Sequence, residues 1–100
     1  MNQYIVLSPD AEADIDSAVL WYHRIDPNLA VRFTAEALAT LHRIKQFPYR
    51  FPIIKGSLRR GLLKRFPYYI YYSFLSSRIS VVAVVHHRRS DSLWIGRAIT

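Results

Sequence analysis

Cysteine is absent from this 100-residue chain. That excludes disulfide scaffolds, thiolate zinc sites and thiol nucleophiles together, and it fits a reducing compartment. Glycine is scarce: Gly56, Gly61 and Gly96 are the only three, and they match no phosphate-cradling loop. No His-x-x-x-His spacing occurs either, so neither metal nor cofactor is expected. Long apolar runs are missing. The longest aliphatic stretch, Val81-Val82-Ala83-Val84-Val85, falls far short of the about 20 residues a bilayer crossing needs. Met1-Asn2-Gln3-Tyr4 shows none of the basic and apolar features of a secretory signal. The expectation is a cytoplasmic protein with no membrane partner.

Acids nearly vanish after residue 36, where Asp91 stands alone against twelve Lys and Arg, a balance of +11. Residues 1–36 carry the opposite sign, with six acids and two arginines. Such asymmetry makes a basic face that can steer a polyanion or an acidic partner. What the chain has in quantity is hydrophobic residues, 51%, and aromatics, 14%. These suffice for a real core, and the length fits one domain over residues 1–100.

Tyr4-Ile5-Val6-Leu7 is β-prone and reads as a first strand. Ser8-Pro9 then supplies a helix cap and a first helical residue. Ala11, Ile15, Ala18, Tyr22 and Ile25 follow at helical spacing and make one apolar stripe. Asp26-Pro27 breaks that helix and caps a second, whose stripe is Ala30, Phe33, Ala37, Leu41 and Ile44. So short a break predicts an antiparallel helical hairpin. Phe47-Pro48 ends it, and residues 48–57 read as an irregular connector. Three strands follow, roughly Leu58–Phe66, Tyr68–Leu75 and Arg78–His86, with a tight turn at Ser76-Ser77. The run Ile79 to Val85 reads as a central strand buried on both faces. The tail from Asp91 is a short helix or an extended segment. The order β-α-α-β-β-β predicts an α+β domain, a helical hairpin on one face of a small, mostly antiparallel four-stranded sheet.

Two basic groups carry the candidate chemistry. Arg59, Arg60, Lys64 and Arg65 lie on one predicted strand, where alternation puts Arg60 and Lys64 on one side and Arg59 and Arg65 on the other. They suit phosphates or an acidic partner; charge protecting an edge strand is the alternative. His86-His87-Arg88-Arg89 closes the buried strand, and a rigid strand end positions titratable groups well. The packing alternative makes His87 an interior group and His86 a solvated one. Tyr68, Tyr69, Tyr71 and Tyr72 could stack on RNA bases, yet large rings are foremost sheet formers and core fillers. Asp10, Glu12, Asp14 and Asp16 read as a solvated helix face. The residues by themselves lead to a basic α+β domain that binds an anion or an acidic protein.

In their order and spacing, several segments resemble one family. They are Leu7-Ser8-Pro9-Asp10-Ala11, Trp21-Tyr22, Asp26-Pro27-Asn28-Leu29-Ala30, Phe47-Pro48-Tyr49-Arg50-Phe51-Pro52, Leu62-Leu63-Lys64-Arg65-Phe66-Pro67-Tyr68 and Val85-His86-His87-Arg88-Arg89. The pattern resembles the RelE/ParE toxin superfamily of type II toxin–antitoxin systems, in particular its ParE-like, plasmid-stabilisation branch. The resemblance covers nearly the whole chain.

That resemblance implies a growth-arresting toxin neutralised by a cognate antitoxin. By charge, the antitoxin segment should be acidic and amphipathic and should meet Arg59, Arg60, Lys64 and Arg65. RelE-like members cleave mRNA on the translating ribosome without a metal. Such chemistry needs a base, an acid and cations at phosphorus; Lys55, Arg60, Lys64, His86, His87 and Arg88 fit those roles. The C-terminal tyrosine or histidine that many such nucleases use has no counterpart in Ser90 to Thr100. ParE-like members poison DNA gyrase instead and have no recognised catalytic residues. The closer likeness to that branch makes gyrase the expected target, contacted through His86, His87, Arg88 and Arg89. An mRNA endoribonuclease is the alternative, and a non-toxic nucleic-acid-binding protein a further one.

Overall fold

The computed structural model describes residues 3–88. Arg89 and the tail beyond Asp91 lie outside the described residues. The elements run β1 (Tyr4–Leu7), α1 (Pro9–Ile25), α2 (Pro27–Gln46), β2 (Ile53–Lys55), β3 (Leu58–Leu62), β4 (Tyr68–Leu75) and β5 (Arg78–His86).

Both helices begin as their capping residues dictate. Ser8 Oγ accepts the Ala11 N–H at 3.0 Å, with Pro9 behind it at the first helical position. Asp26 serves two helices at once: its backbone N–H donates to Tyr22 O and closes α1, while its carboxylate accepts from Asn28 N and opens α2. The hairpin packs on one face of a five-stranded sheet of order β1-β5-β4-β3-β2. β1 runs parallel to β5, and the other pairs are antiparallel.

This is one strand more than the sequence predicts. β2 falls inside the segment read as an irregular connector, because three residues between Pro52 and Gly56 are too few to show a period. Gly56, at φ +57°, turns the chain straight into β3. β3 also ends early, at Leu62 rather than Phe66. Leu63 and Phe66 are both buried, but they reach the core from a turn that Arg65 rounds at φ +68°. Lys64 and Arg65 therefore do not share strand faces with Arg60 and Arg59. The serine turn stands as expected, with Ser76 and Ser77 both at positive φ.

The core between hairpin and sheet centres on Phe33, whose ring meets Tyr22, Phe66 and Tyr68 at centroid distances of 5.1–5.4 Å. Gly61 admits the Phe51 ring against β3; a Cβ there would stand 3.3 Å from it. Ile25, last in the predicted α1 stripe, is 60% exposed because the final turn of α1 lies beyond this core. The opposite sheet face carries a smaller cluster of Leu58, Tyr71, Ala83 and Val85. β5 is thus buried on both faces, as its sequence predicts.

Candidate functional site

One irregularity in β5 organises the basic end of the sheet. Tyr71 pairs with Ala83 and Tyr72 with Val81, so Val82 is an extra residue, a β-bulge. Before it, Ile79 and Val81 face the helices; after it the phase inverts, so that Ala83 and Val85 face away while Val84 stays on the helix side. By that inversion His86 lies half-buried against α1 and His87 is exposed, the reverse of the packing alternative. α1 secures the bulge. Ser8 N donates to Val81 O at 3.0 Å, Ser8 Oγ to Val82 O at 3.4 Å, and Asp14 Oδ2 accepts Val84 N–H at 2.9 Å. Asp14 is therefore a structural partner of β5, although its place among the α1 acids reads as a solvated face.

The two histidines do not diverge as neighbours on a strand would. β5 stops at His86 and a turn at His87-Arg88 follows, so the two rings stack at 4.8 Å with a 24° interplanar angle. Tyr68 meets His86 edge-on at 5.3 Å. His86 Nδ1 accepts the Arg88 backbone N–H at 3.1 Å, which places the proton of a neutral ring on Nε2. His87 Nδ1 lies 3.3 Å from Pro67 O, an acceptor only, so neutral His87 carries its proton on Nδ1. The His87 backbone N–H donates to the same carbonyl at 2.8 Å. These bonds join the β5 end to the 63–67 turn and bring Lys64, Arg65, His86, His87 and Arg88 to one end of the molecule.

Arg59 and Arg60 part company on β3. Arg59 faces the helices and donates through Nη1 to Tyr49 O at 3.1 Å and Phe51 O at 2.7 Å, tying down the α2–β2 connector. Tyr72 beneath it donates its hydroxyl to Pro48 O at 2.7 Å. Burial pushes the Tyr72 phenol up to about 12, against a smaller downward pull from the Arg59 charge. Arg60 lies on the other sheet face, its guanidinium 4.2 Å from the Tyr69 ring and 3.4 Å from the Tyr71 hydroxyl. Lys55 closes β2 at the far edge of the sheet. Among the described residues, the candidates for a cleavage centre are thus split between two faces.

Between α1 and the β5 end runs a groove of about 520 Å³, lined by Asp14, Ser17, Trp21, Tyr68, His86 and Arg88 among others. Burial raises the pKa of Tyr22, which also borders it. Sequence reasoning missed Trp21 and Ser17 as site residues. The signal was the 14-17-21 spacing, a single flank of α1 beside its core stripe; the bulge that brings His86 opposite leaves no such trace. A second, shallower groove of about 570 Å³ lies on the outer side of the hairpin, between Val19, His23, Val31 and Leu38.

Residues 5–91 match the family model of the ParE toxin of type II toxin–antitoxin system, parDE. Among solved structures, a chain of the chromosomal ParDE TA system from P. aeruginosa is similar at a TM-score of 0.74 and 16% identity, over 84% of this chain and 95% of that one. No curated protein gives a significant match.

Proposed function

Because the chain belongs to the ParE toxin family of type II toxin–antitoxin systems, we propose that this ParE-type toxin arrests growth in the cytoplasm by poisoning DNA gyrase and that a cognate antitoxin neutralises it. The carrying observation is the separation of Arg60 and His86 onto opposite faces of one sheet. A metal-independent ribonuclease needs base, acid and cations around one phosphate. Here Arg60 is engaged with Tyr69 and Tyr71, while the histidines stack on one another at the sheet end. A cationic end built from Lys64, Arg65 and Arg88, beside His87, suits binding to a target better than chemistry on it.

The antitoxin reading rests on charge and on the hairpin groove. An amphipathic acidic segment can seat its apolar side on Val31 and Leu38, both largely exposed, and direct acids toward Lys64 and Arg65. Arg59 and Arg60 contribute less to that contact, since each is already held by its own neighbours. The test adds purified toxin to gyrase and supercoiled DNA, and separately to a translating extract. Accumulation of cleaved gyrase–DNA complexes with intact translation supports the reading; cutting of mRNA within codons replaces it with the nuclease.

A further inference from the structure

The sheet face turned away from the hairpin has no acid among the described residues. Asp10, Glu12, Asp14 and Asp16 stand on α1, Asp26 between the helices and Glu36 on α2. Where β4 turns into β5, that face holds a concavity of about 410 Å³. Phe74 and Ile79 point to the hairpin core, so Ser73, Leu75, Arg78 and Ser80 point away from it. The strand register makes these four one square, with Ser73 opposite Ser80 and Leu75 opposite Arg78. Its sides measure about 5 Å across the strands and about 7 Å along them. Three corners donate hydrogen bonds; the fourth, Leu75, is apolar and 65% exposed. Among the described residues, none of the three donor side chains has a hydrogen-bond or ionic partner. Tyr4, level with Arg78 on β1 and 54% exposed, borders the same concavity. Ser76 adds a further hydroxyl from the turn, at a φ of +51° where hairpins favour asparagine or glycine.

We propose that this square binds a small phosphate monoester with an apolar organic group. Arg78, Ser73 and Ser80 hold the three free phosphoryl oxygens, and the ester oxygen leaves over Leu75. The count of oxygens selects the ligand. A monoester offers three free oxygens to three donor corners, whereas a carboxylate or a phosphodiester offers two and leaves one corner unmet. The Arg78 guanidinium can take two N–H···O bonds to one phosphoryl group, its strongest mode of anion recognition. With no described acid on this face, nothing there opposes a dianion. The organic group then rests on Leu75 and Tyr4, whose exposure beside a charged concavity is otherwise without use. Serine held at positive φ in the turn is a conformational cost of the kind that ligand sites carry. The volume of about 410 Å³ lies within the usual range of small-molecule pockets. Arg78 opens β5, while Lys64, Arg65 and Arg88 cluster where that strand ends, so the proposal is independent of the gyrase and antitoxin readings.

Titration of the ¹⁵N-labelled chain at constant ionic strength, followed by amide chemical shifts, tests it. Phenyl phosphate should shift the amides of Tyr4, Ser73 and Ser76 to Ser80 and saturate. Inorganic phosphate should bind at the same amides at least fivefold more weakly, and benzoate and diphenyl phosphate at least tenfold more weakly. Arg78→Gln should weaken phenyl phosphate at least tenfold and Ser80→Ala severalfold. Arg88→Gln, which removes the same charge beyond the far end of β5, should change it less than twofold. Circular dichroism and melting of each variant identify any loss of fold, and the comparison of the four ligands needs no variant. Phenyl phosphate that fails to saturate, or that shifts Lys64, Arg65 and Arg88 as much, overturns the proposal in favour of diffuse electrostatics. Benzoate or diphenyl phosphate binding as tightly as phenyl phosphate overturns the oxygen count. Inorganic phosphate binding as tightly makes this a site for free phosphate and removes the role given to Leu75 and Tyr4.

Discussion

Asp14 on α1 accepts the backbone N–H of Val84 on β5 at 2.9 Å, a bond between residues 70 positions apart. β1 ends at Leu7, level with Val81, so among the described residues the β5 edge beyond it has no strand neighbour on that side. Ser8 and Asp14 stand in for one. Asp14→Ala should leave that N–H unsatisfied and cost about 1–3 kcal/mol, whereas Asp14→Asn retains an acceptor and should cost less. Urea denaturation measures both. If Asp14→Ala is neutral, the carboxylate is not what holds the bulge.

Phe33 should be the most sensitive position in the hairpin. It is fully buried and shares ring contacts with Tyr22, Phe66 and Tyr68. Phe33→Ala should cost about 3–5 kcal/mol, a large fraction of the stability of a domain this size. Leu41 is only half-buried at the margin of the same core, so Leu41→Ala should cost about 1–2 kcal/mol. Ile25→Ala, on the exposed last turn, should fall within about 0.5 kcal/mol of the parent. A different rank order in thermal or denaturant unfolding would contradict this core.

Alkaline pH should act through Tyr72. Its phenol is fully buried and its pKa is raised from the model-peptide 10.0 to about 12. The unfolded chain releases this proton first, so the contribution is complete below pH about 10 and is lost as pH rises toward about 12. The loss amounts to about 2–3 kcal/mol across that window. Tyr72→Phe should cost about 1 kcal/mol at neutral pH through the bond to Pro48 O, and should lose less further stability than the parent above pH 10. Parallel pH–stability curves for the two proteins would show that another tyrosine governs the alkaline limb.

The helices were legible because their signals are local. Ser8-Pro9 and Asp26-Pro27 cap where they stand, and the stripes through Ala18 and Phe33 follow a 3.6-residue period. The strand ends were less so, because alternation cannot separate a strand from a turn that buries Leu63 and Phe66 three residues apart. At the site, the basic residues could be named but not their faces. The face of His86 depends on the Val82 bulge, and the bulge on Asp14, which belongs to a different element. A side chain whose orientation is set 70 residues away has no signature in its own neighbourhood. Arg59 is a similar case: its charge suggests a partner, yet carbonyls of the connector occupy it.

Arg65 rounds its turn at φ +68°, where a side chain with a Cβ is strained and glycine is not. Arg65→Gly should therefore preserve or raise thermal stability, by up to about 1 kcal/mol. The same change removes one of the charges assigned to the antitoxin contact. Its association rate should fall, and should depend less steeply on salt than that of the parent. Stopped-flow association at several ionic strengths reads both effects. An unchanged salt dependence removes Arg65 from the contact, while a drop in melting temperature removes the strain argument.

His86, His87 and Arg88 separate the two toxin mechanisms most directly. In a nuclease a histidine acting as base or acid contributes about 10²–10⁴-fold to rate, so its loss would nearly abolish activity in a folded protein. In a gyrase poison the toxin transfers no proton, and the same loss only weakens binding. The bonds of both rings favour the second outcome. His86 Nδ1 takes the Arg88 N–H, His87 Nδ1 meets Pro67 O, and the stacked pair fixes the turn that carries Arg88. His86→Ala and His87→Ala should each reduce toxicity only in part, by loosening that turn. Arg88→Ala should reduce it more, since the residue is exposed beside the α1–β5 groove, while antitoxin binding survives at least partly. Growth on induction without antitoxin, together with pull-down of the variants by antitoxin, reads both quantities. Complete loss of growth arrest in a folded single histidine variant, with mRNA cutting lost in parallel, would replace gyrase by the ribosome as the target.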